Sequence, residues 1–263
     1  MSPPRIFDRT AYAERRARAE QRDAGSFLVE DAAQTLFERV AAAQRVFVRA
    51  LDLGSRRQSF AQLKPLAKSW VRAPLSAPGA ASEEGVVVAD EEYLPFAEQS
   101  FDLVVSVLSL HAVNDLPGAL LQIRRLLVPD GLFVAALFGG STLHELRHAF
   151  AAGENEAAGG VSPRVAPFAD VRDLGGLLQR AGFAMPVADV DRVTVRYEQF
   201  FTLADDLRAL GETNSLRERS RKPLRREILS SVLAHYATRD SEPDGRLRAT
   251  FDTIYLTGWA PTE

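Results

Sequence analysis

The chain has 263 residues, 46% of them hydrophobic and 25% charged, with 35 acidic against 32 basic side chains. That length and balance suit one large soluble domain with a substantial core, and a net charge of -3 gives no global reason to expect nucleic acid as a partner. Cysteine is absent, which excludes disulfides, zinc–thiolate sites, iron–sulfur ligation and cysteine nucleophiles. No apolar run approaches the ~20 residues of a membrane-spanning helix. The first 23 residues mix arginines with Asp8, Glu14, Glu20 and Asp23 and lack an apolar segment, so the expectation is a cytoplasmic chain without an export signal or transmembrane segment.

Taken in order, residues 1–45 predict a helical segment, with a charged helix over 5–22 and an amphipathic one over 31–44, where Leu36, Phe37 and Val40 recur at helical spacing. Residues 46–54 form a nearly continuous apolar run ending in Asp and Gly, the pattern of a buried parallel strand. A helix over 59–68, a short strand over 70–72 and a Pro/Gly/Ser/Ala-rich loop over 75–82 follow. Strands are predicted at 85–89 and 101–108. Asp115 caps a helix running to Leu127, with Pro117 in its first turn. Pro129-Asp130-Gly131 turns into a strand over 132–138. Beyond Asp170 come a helix ended by Gly182, an extended stretch over 183–197, a helical insertion at about 198–240 and a last strand over 249–259. Strands alternating with helices predict an α/β fold, a doubly wound, mostly parallel seven-stranded sheet over 46–263 with helices on both faces.

Four pieces in order carry a resemblance: Leu51-Asp52-Leu53-Gly54, Asp90-Glu91-Glu92-Tyr93-Leu94-Pro95-Phe96, Ser100-Phe101-Asp102-Leu103-Val104 and Pro129-Asp130-Gly131. Together they resemble the class I S-adenosylmethionine-dependent methyltransferases. More narrowly, the segments 106–117 and 138–147, with Ile6-Phe7-Asp8-Arg9, Asp205-Asp206-Leu207-Arg208, Gly211-Glu212-Thr213-Asn214 and Leu256-Thr257-Gly258-Trp259, resemble the complex I assembly factor branch of arginine hydroxylases. The malonyl-carrier-protein methyltransferases are close to that branch. The resemblance covers nearly the whole chain. It implies a Rossmann-like methyltransferase sheet, S-adenosylmethionine as cofactor, and a protein substrate or partner such as a complex I subunit.

In such a fold the ligand sits at the carboxyl edge of the sheet, beside the first strand-to-helix turn. The candidate cofactor residues are therefore Asp52, Gly54, Ser106, Ser109, Asp90 (its carboxylate toward an adenine amino group) and Glu91, whose amide follows. His111 is a candidate general base, with Asn114 beside it; the bland alternative for His111 is a hydrogen-bonded scaffold element. Gly140, Thr142 and Glu145 would border the substrate, although Ser141 or Thr142 followed by Glu145 also reads as a helix N-cap. Two departures stand out. Arg56 and Gln58 occupy positions where the family repeats glycine, and no acid stands near Arg72-Ala73-Pro74 to bind ribose; Glu83 and Glu84 are the only acids between Gly54 and Asp90.

His144 and His148 have the i, i+4 spacing of metal ligands but lack a following ligand set, so no metal is expected. Between Arg208 and Arg226 seven basic residues face two acids, a candidate docking patch for an acidic protein partner. Few aromatics interleave with them, which argues against nucleic acid. Three functions stay open: methyl transfer or related chemistry on a protein in complex I assembly, a cofactor-independent scaffold or chaperone, and methylation of a carrier-bound acyl group.

Overall fold

Strands whose side chains are buried on both faces build the centre of the molecule. The computed structural model describes residues 5–22, 27–76 and 84–262. In β3 (Phe101–Val107) and β4 (Leu127–Phe138), Leu103, Val105, Leu132, Val134 and Ala136 enter one core, while Val104, Phe133 and Ala135 enter the other. A strand of this kind needs helices on both sides. The first core is covered by α2 (Phe27–Ala42), α5 (His144–Ala158), α7 (Phe200–Leu210) and α8 (Arg226–Asp240), the second by α4 (Leu116–Leu126) and α6 (Val171–Arg180). A charged helix, α1 (Arg9–Arg22), packs along α7, and a short α3 (Arg57–Leu63) follows the first strand.

With β1 (Phe47–Leu53), β2 (Ala67–Ala73), β5 (Ala184–Tyr197) and β6 (Leu247–Trp259), the sheet order is β2-β1-β3-β4-β6-β5. The first four strands are parallel, and β6 lies antiparallel between β4 and β5. The chain leaves β1 for β2 on one side and returns to β3 on the other, so the crevice outside β1 and β3 is the switch point of a doubly wound sheet.

Several predicted ends hold. Asp115 caps α4 by accepting from the Gly118 amide, and Asp170 caps α6 from the Arg172 amide. One prediction fails: the described residues form six strands, not seven. Residues 85–89 keep a single parallel bridge between Val86 and Arg72, with the Arg72 amide donating to the Gly85 carbonyl at 2.7 Å. Val87 and Val88 are exposed there, so no second buried face demands a longer ladder. Pro129-Asp130-Gly131 also lies inside β4 rather than before it, as an irregularity between the pairs Phe101–Leu127 and Leu103–Leu132. Most of the predicted 75–82 loop, and Glu83, lie outside the described residues. Among the described residues no helix is long and apolar enough to cross a membrane.

Helices α5 and α8 meet closely at Gly153. A Cβ on that residue would stand 2.6 Å from the Val232 amide nitrogen and 2.8 Å from its Cα. Gly153→Ala is therefore expected to destabilise the fold by ~1–3 kcal/mol through overpacking, despite the higher helix propensity of alanine. Chemical denaturation measures this, and an unchanged or raised midpoint would contradict the contact.

Candidate functional site

At the switch point the chain turns sharply at Gly54, which has φ +70, a conformation that glycine adopts without strain. A Cβ at Gly54 would land on the Ser109 hydroxyl and the Glu91 carboxylate, so protein packing alone already requires glycine. Asp52 is buried and paired with Arg72 at 3.3 Å, and its other oxygen has no hydrogen-bond partner. Burial pushes this carboxyl above its ordinary range, against a hydrogen bond from Ser55 and the charge of Arg72. The Ser55 hydroxyl also accepts from the Val107 amide at 3.0 Å, tying the turn to β3.

The polar groups that close this crevice come from α1, where the sequence reading placed no site residue. Arg16 donates to the carbonyl of Gly54 at 2.8 Å and to that of Leu108 at 3.2 Å, the two carbonyls just past β1 and β3. Leu108 is itself left-handed, with φ +47, a strained setting for a branched side chain. Arg56 does not extend freely into the crevice. It is 3% exposed and donates to the carbonyls of Ala209 and Ala19 at 2.8 and 3.2 Å, with Glu20 at 3.5 Å. Between these groups remains a cavity of about 560 Å³, lined by Tyr12, Arg16, Arg56, Arg72, Val86 and Ser109 among others.

The predicted adenine acceptor is engaged elsewhere. Arg9 bonds both oxygens of Asp90, one of them at 2.8 Å, as well as the Glu91 carboxylate. Glu91 is fully buried and bonded to Ser109. Asn114 receives the Phe7 amide at 2.7 Å and donates to the Phe7 carbonyl and to Glu92, so it clamps the N-terminal segment. Ser106 is buried with no hydrogen-bond partner for its hydroxyl.

These residues do not fit S-adenosylmethionine. The carbonyls at the switch point already hold a guanidinium, Asp90 holds Arg9, and β2 ends in Ala73 and Pro74 without an acid for ribose hydroxyls. A sulfonium would add positive charge beside Arg16 and Arg56.

A second cavity, of about 290 Å³, lies between the sheet and the insertion helices. Phe138, Phe168, Phe200 and Phe251 wall it, and His111 and Glu212 reach its lining. The Glu212 carboxylate accepts from Tyr12 Oη at 2.9 Å and meets His111 Nε2 at 3.0 Å, with Arg16 at 3.7 Å. Its pairing with His111 and the charge of Arg16 hold the Glu212 carboxyl below its ordinary range despite burial. Both ring nitrogens of His111 face partners, since Nδ1 lies 3.5 Å from the Phe138 amide, so His111 is placed as an orienting group. Thr142 lines the same cavity, but its hydroxyl exchanges hydrogen bonds with the Asp252 backbone. Glu145 is bound to the Thr250 amide and hydroxyl. Gly140 is exposed, and a Cβ built on it would meet only the Ala169 carbonyl, at 3.9 Å. Neither Ser141 nor Thr142 caps α5; its N-cap is Leu143, left-handed at φ +55 with no side-chain cap, because Thr142 is drawn to β6. His144 and His148 stand ring to ring at 5.9 Å, and among the described residues no three His, Cys, Asp or Glu group to hold a metal ion.

The structure thus brings His111 and Thr142 to one cavity and Gly54 and Ser109 to the other. Tyr12, Arg16 and Glu212, which tie the two, escaped sequence reasoning. Arg9 and Glu212 were visible only as parts of Ile6-Phe7-Asp8-Arg9 and Gly211-Glu212-Thr213-Asn214, without a chemical role.

Residues 61–135 match a family model described as a methyltransferase domain. The human arginine-hydroxylase NDUFAF5, mitochondrial, is 41% identical over 265 residues, spanning 97% of this chain and 76% of the human one. A malonyl-[acyl-carrier protein] O-methyltransferase of Halorhodospira halophila is 40% identical over 173 residues, spanning 66% and 57%. The crystal structure of YcgJ from Bacillus subtilis superposes with a TM-score of 0.59 at 15% identity, covering 87% of this chain and 98% of that one, which establishes a shared fold.

Glu212→Gln removes the charge opposite Arg16 and His111 and is expected to cost ~2–4 kcal/mol at neutral pH. Because the folded-state carboxyl lies below its ordinary 4.5, the stability that it contributes is full above that value and is lost as pH falls through the folded pKa. Urea titrations between pH 7 and pH 3 should show a flatter acid loss in the variant. Equal slopes would contradict the pairing.

Proposed function

This chain belongs to the NDUFAF5 arginine-hydroxylase family of methyltransferase-fold proteins, and from that premise we propose that it acts on a protein in respiratory complex I assembly. The side chain received in the second cavity is an arginine. The observation that supports this is the pairing of aromatic walls with a single carboxylate on the lining, that of Glu212, whose side chain is 13% exposed. An arginine presents an aliphatic stem and a flat cationic head, which suit phenylalanine faces and a carboxylate respectively. A carboxylate has about four acceptor positions; Tyr12 and His111 use two of those on Glu212. In this reading His111 orients Glu212, and Thr142 lines the cavity on its β6 side. The basic segment from Arg208 to Arg226, with Leu224 and Arg208 on the cavity lining, docks acidic surface of the same partner.

A second reading, a cofactor-independent scaffold for a respiratory subunit, draws on the closure of the switch point by Arg16. Both readings share the acceptor cavity and differ in whether chemistry follows binding. A short arginine peptide and its citrulline twin, which has the same shape without the charge, test the cavity. Calorimetry should give at least ~10-fold weaker binding for citrulline, equivalent to ~1.4 kcal/mol, and a similar loss for Glu212→Gln with the arginine peptide. Equal binding of the two peptides would sink the assignment.

A further inference from the structure

We propose that Tyr12, reaching across from α1, is a positioning residue that sets the Glu212 carboxylate to take arginine in preference to lysine. This selectivity rests on the reading that the aromatic cavity receives a cationic side chain, and it adds which groups tell one cation from another.

Three fully charged side chains are on the described lining of that cavity. Arg164 and Arg208 are met by carboxylates of their own, Glu154 and Asp205, which leaves Glu212 as the acid that faces the space. Its two oxygens are held separately. Tyr12 Oη donates to Oε1 at 2.9 Å, and His111 Nε2 meets Oε2 at 3.0 Å. The Phe138 amide donates toward His111 Nδ1 at 3.5 Å, which leaves the ring proton on Nε2 and makes that nitrogen the donor. Burial and the charge of Glu212 push the Tyr12 phenol well above its ordinary range, so Tyr12 is a donor at neutral pH. Arg16 stands 3.7 Å from Oε1 with its fork spent on the carbonyls of Gly54 and Leu108. It adds charge, the same for any incoming cation, but takes no acceptor position.

A carboxylate accepts about four hydrogen bonds, two on each oxygen. With one position taken on each, one stays open on each. A guanidinium fork fills that set with two parallel hydrogen bonds, whereas an ammonium is a compact point charge without the fork. The two donors also keep the carboxylate from turning to favour a single contact. Neither yields easily. Tyr12 is 1% exposed, with the guanidiniums of Arg9 and Arg16 at 5.6 and 5.9 Å from its ring centre, and the His111 ring lies 5.0 Å from that of Phe138.

The test is calorimetric titration of the full chain with the arginine peptide, its citrulline twin and a lysine twin, beside Tyr12→Phe, which keeps the ring and removes the donor. The unaltered chain should bind arginine at least ~10-fold more tightly than lysine, the worth of one hydrogen bond to a charged group. In Tyr12→Phe the arginine peptide should lose ~10-fold and the lysine peptide less than ~3-fold, so that the preference collapses. Because the lost donor favours the ionised form of Glu212, arginine binding in the variant should also fail at a higher pH on acidification, with Arg16 and His111 still facing the carboxylate. A Tyr12 that merely supports the fold would weaken both peptides alike. Equal losses for the two peptides, or equal binding of arginine and lysine by the unaltered chain, would overturn the proposal, and the second comparison needs no variant to fold. Arginine and citrulline binding alike defeats the cavity assignment itself; arginine above citrulline but equal to lysine defeats the role of Tyr12 alone.

Discussion

Where β1 and β3 part, the carbonyls of Gly54 and Leu108 point into a crevice with no further strand to receive them. Buried acceptors must be paired, and here both are met by one guanidinium, that of Arg16. This pairing fixes the position of α1, and α1 then brings Tyr12 to Glu212 and Arg9 to Asp90 and Glu91. His111 meets the same Glu212 carboxylate from the sheet side. A pair of carbonyls at one sheet edge thereby sets the arrangement of two cavities.

The charges in this region are organised as a chain rather than as separate pairs. Glu212 stands between His111 and Arg16, Arg16 stands beside Arg56, and Glu20 faces Arg56 from the outer side. Buried ion pairs contribute little net stability, yet breaking one is expensive because it strands the other charge. Such a chain resists gradual sequence change. A substitution at one member leaves a neighbouring charge stranded unless that neighbour changes as well, which couples the two cavities.

The strands were legible because burial on both faces leaves a continuous apolar run, as in β1, β3 and β4. The run at 85–89 looked the same but lies with Val87 and Val88 in solvent, and composition does not reveal on which side of a sheet a residue falls. Sequence also located Asp52, Gly54, Ser109 and His111 near the carboxyl edge. It did not reveal their partners, since Asp90 meets Arg9 across 81 positions and His111 meets Glu212 across 101. Local rules failed in one informative place: Thr142 has the chemistry of an N-cap, but the Asp252 backbone in β6 takes its hydroxyl first.

The place of β6 has a consequence for how the chain reaches this structure. It lies between β4 and β5, and β5 is hydrogen-bonded within the sheet to β6 alone. On a ribosome, where synthesis runs from the N-terminus, β5 emerges before β6 and waits while α7 and α8 are made. Its long edge stays unpaired until residues 247–259 arrive to bridge it to β4. Unpaired strand edges of this kind are templates for misassociation, and closing so distant a contact is intrinsically slow. The antiparallel edge of the sheet is therefore the part of the nascent chain most in need of protection, and the aromatic cavity, which borrows Phe251 from β6, is completed only when that edge closes.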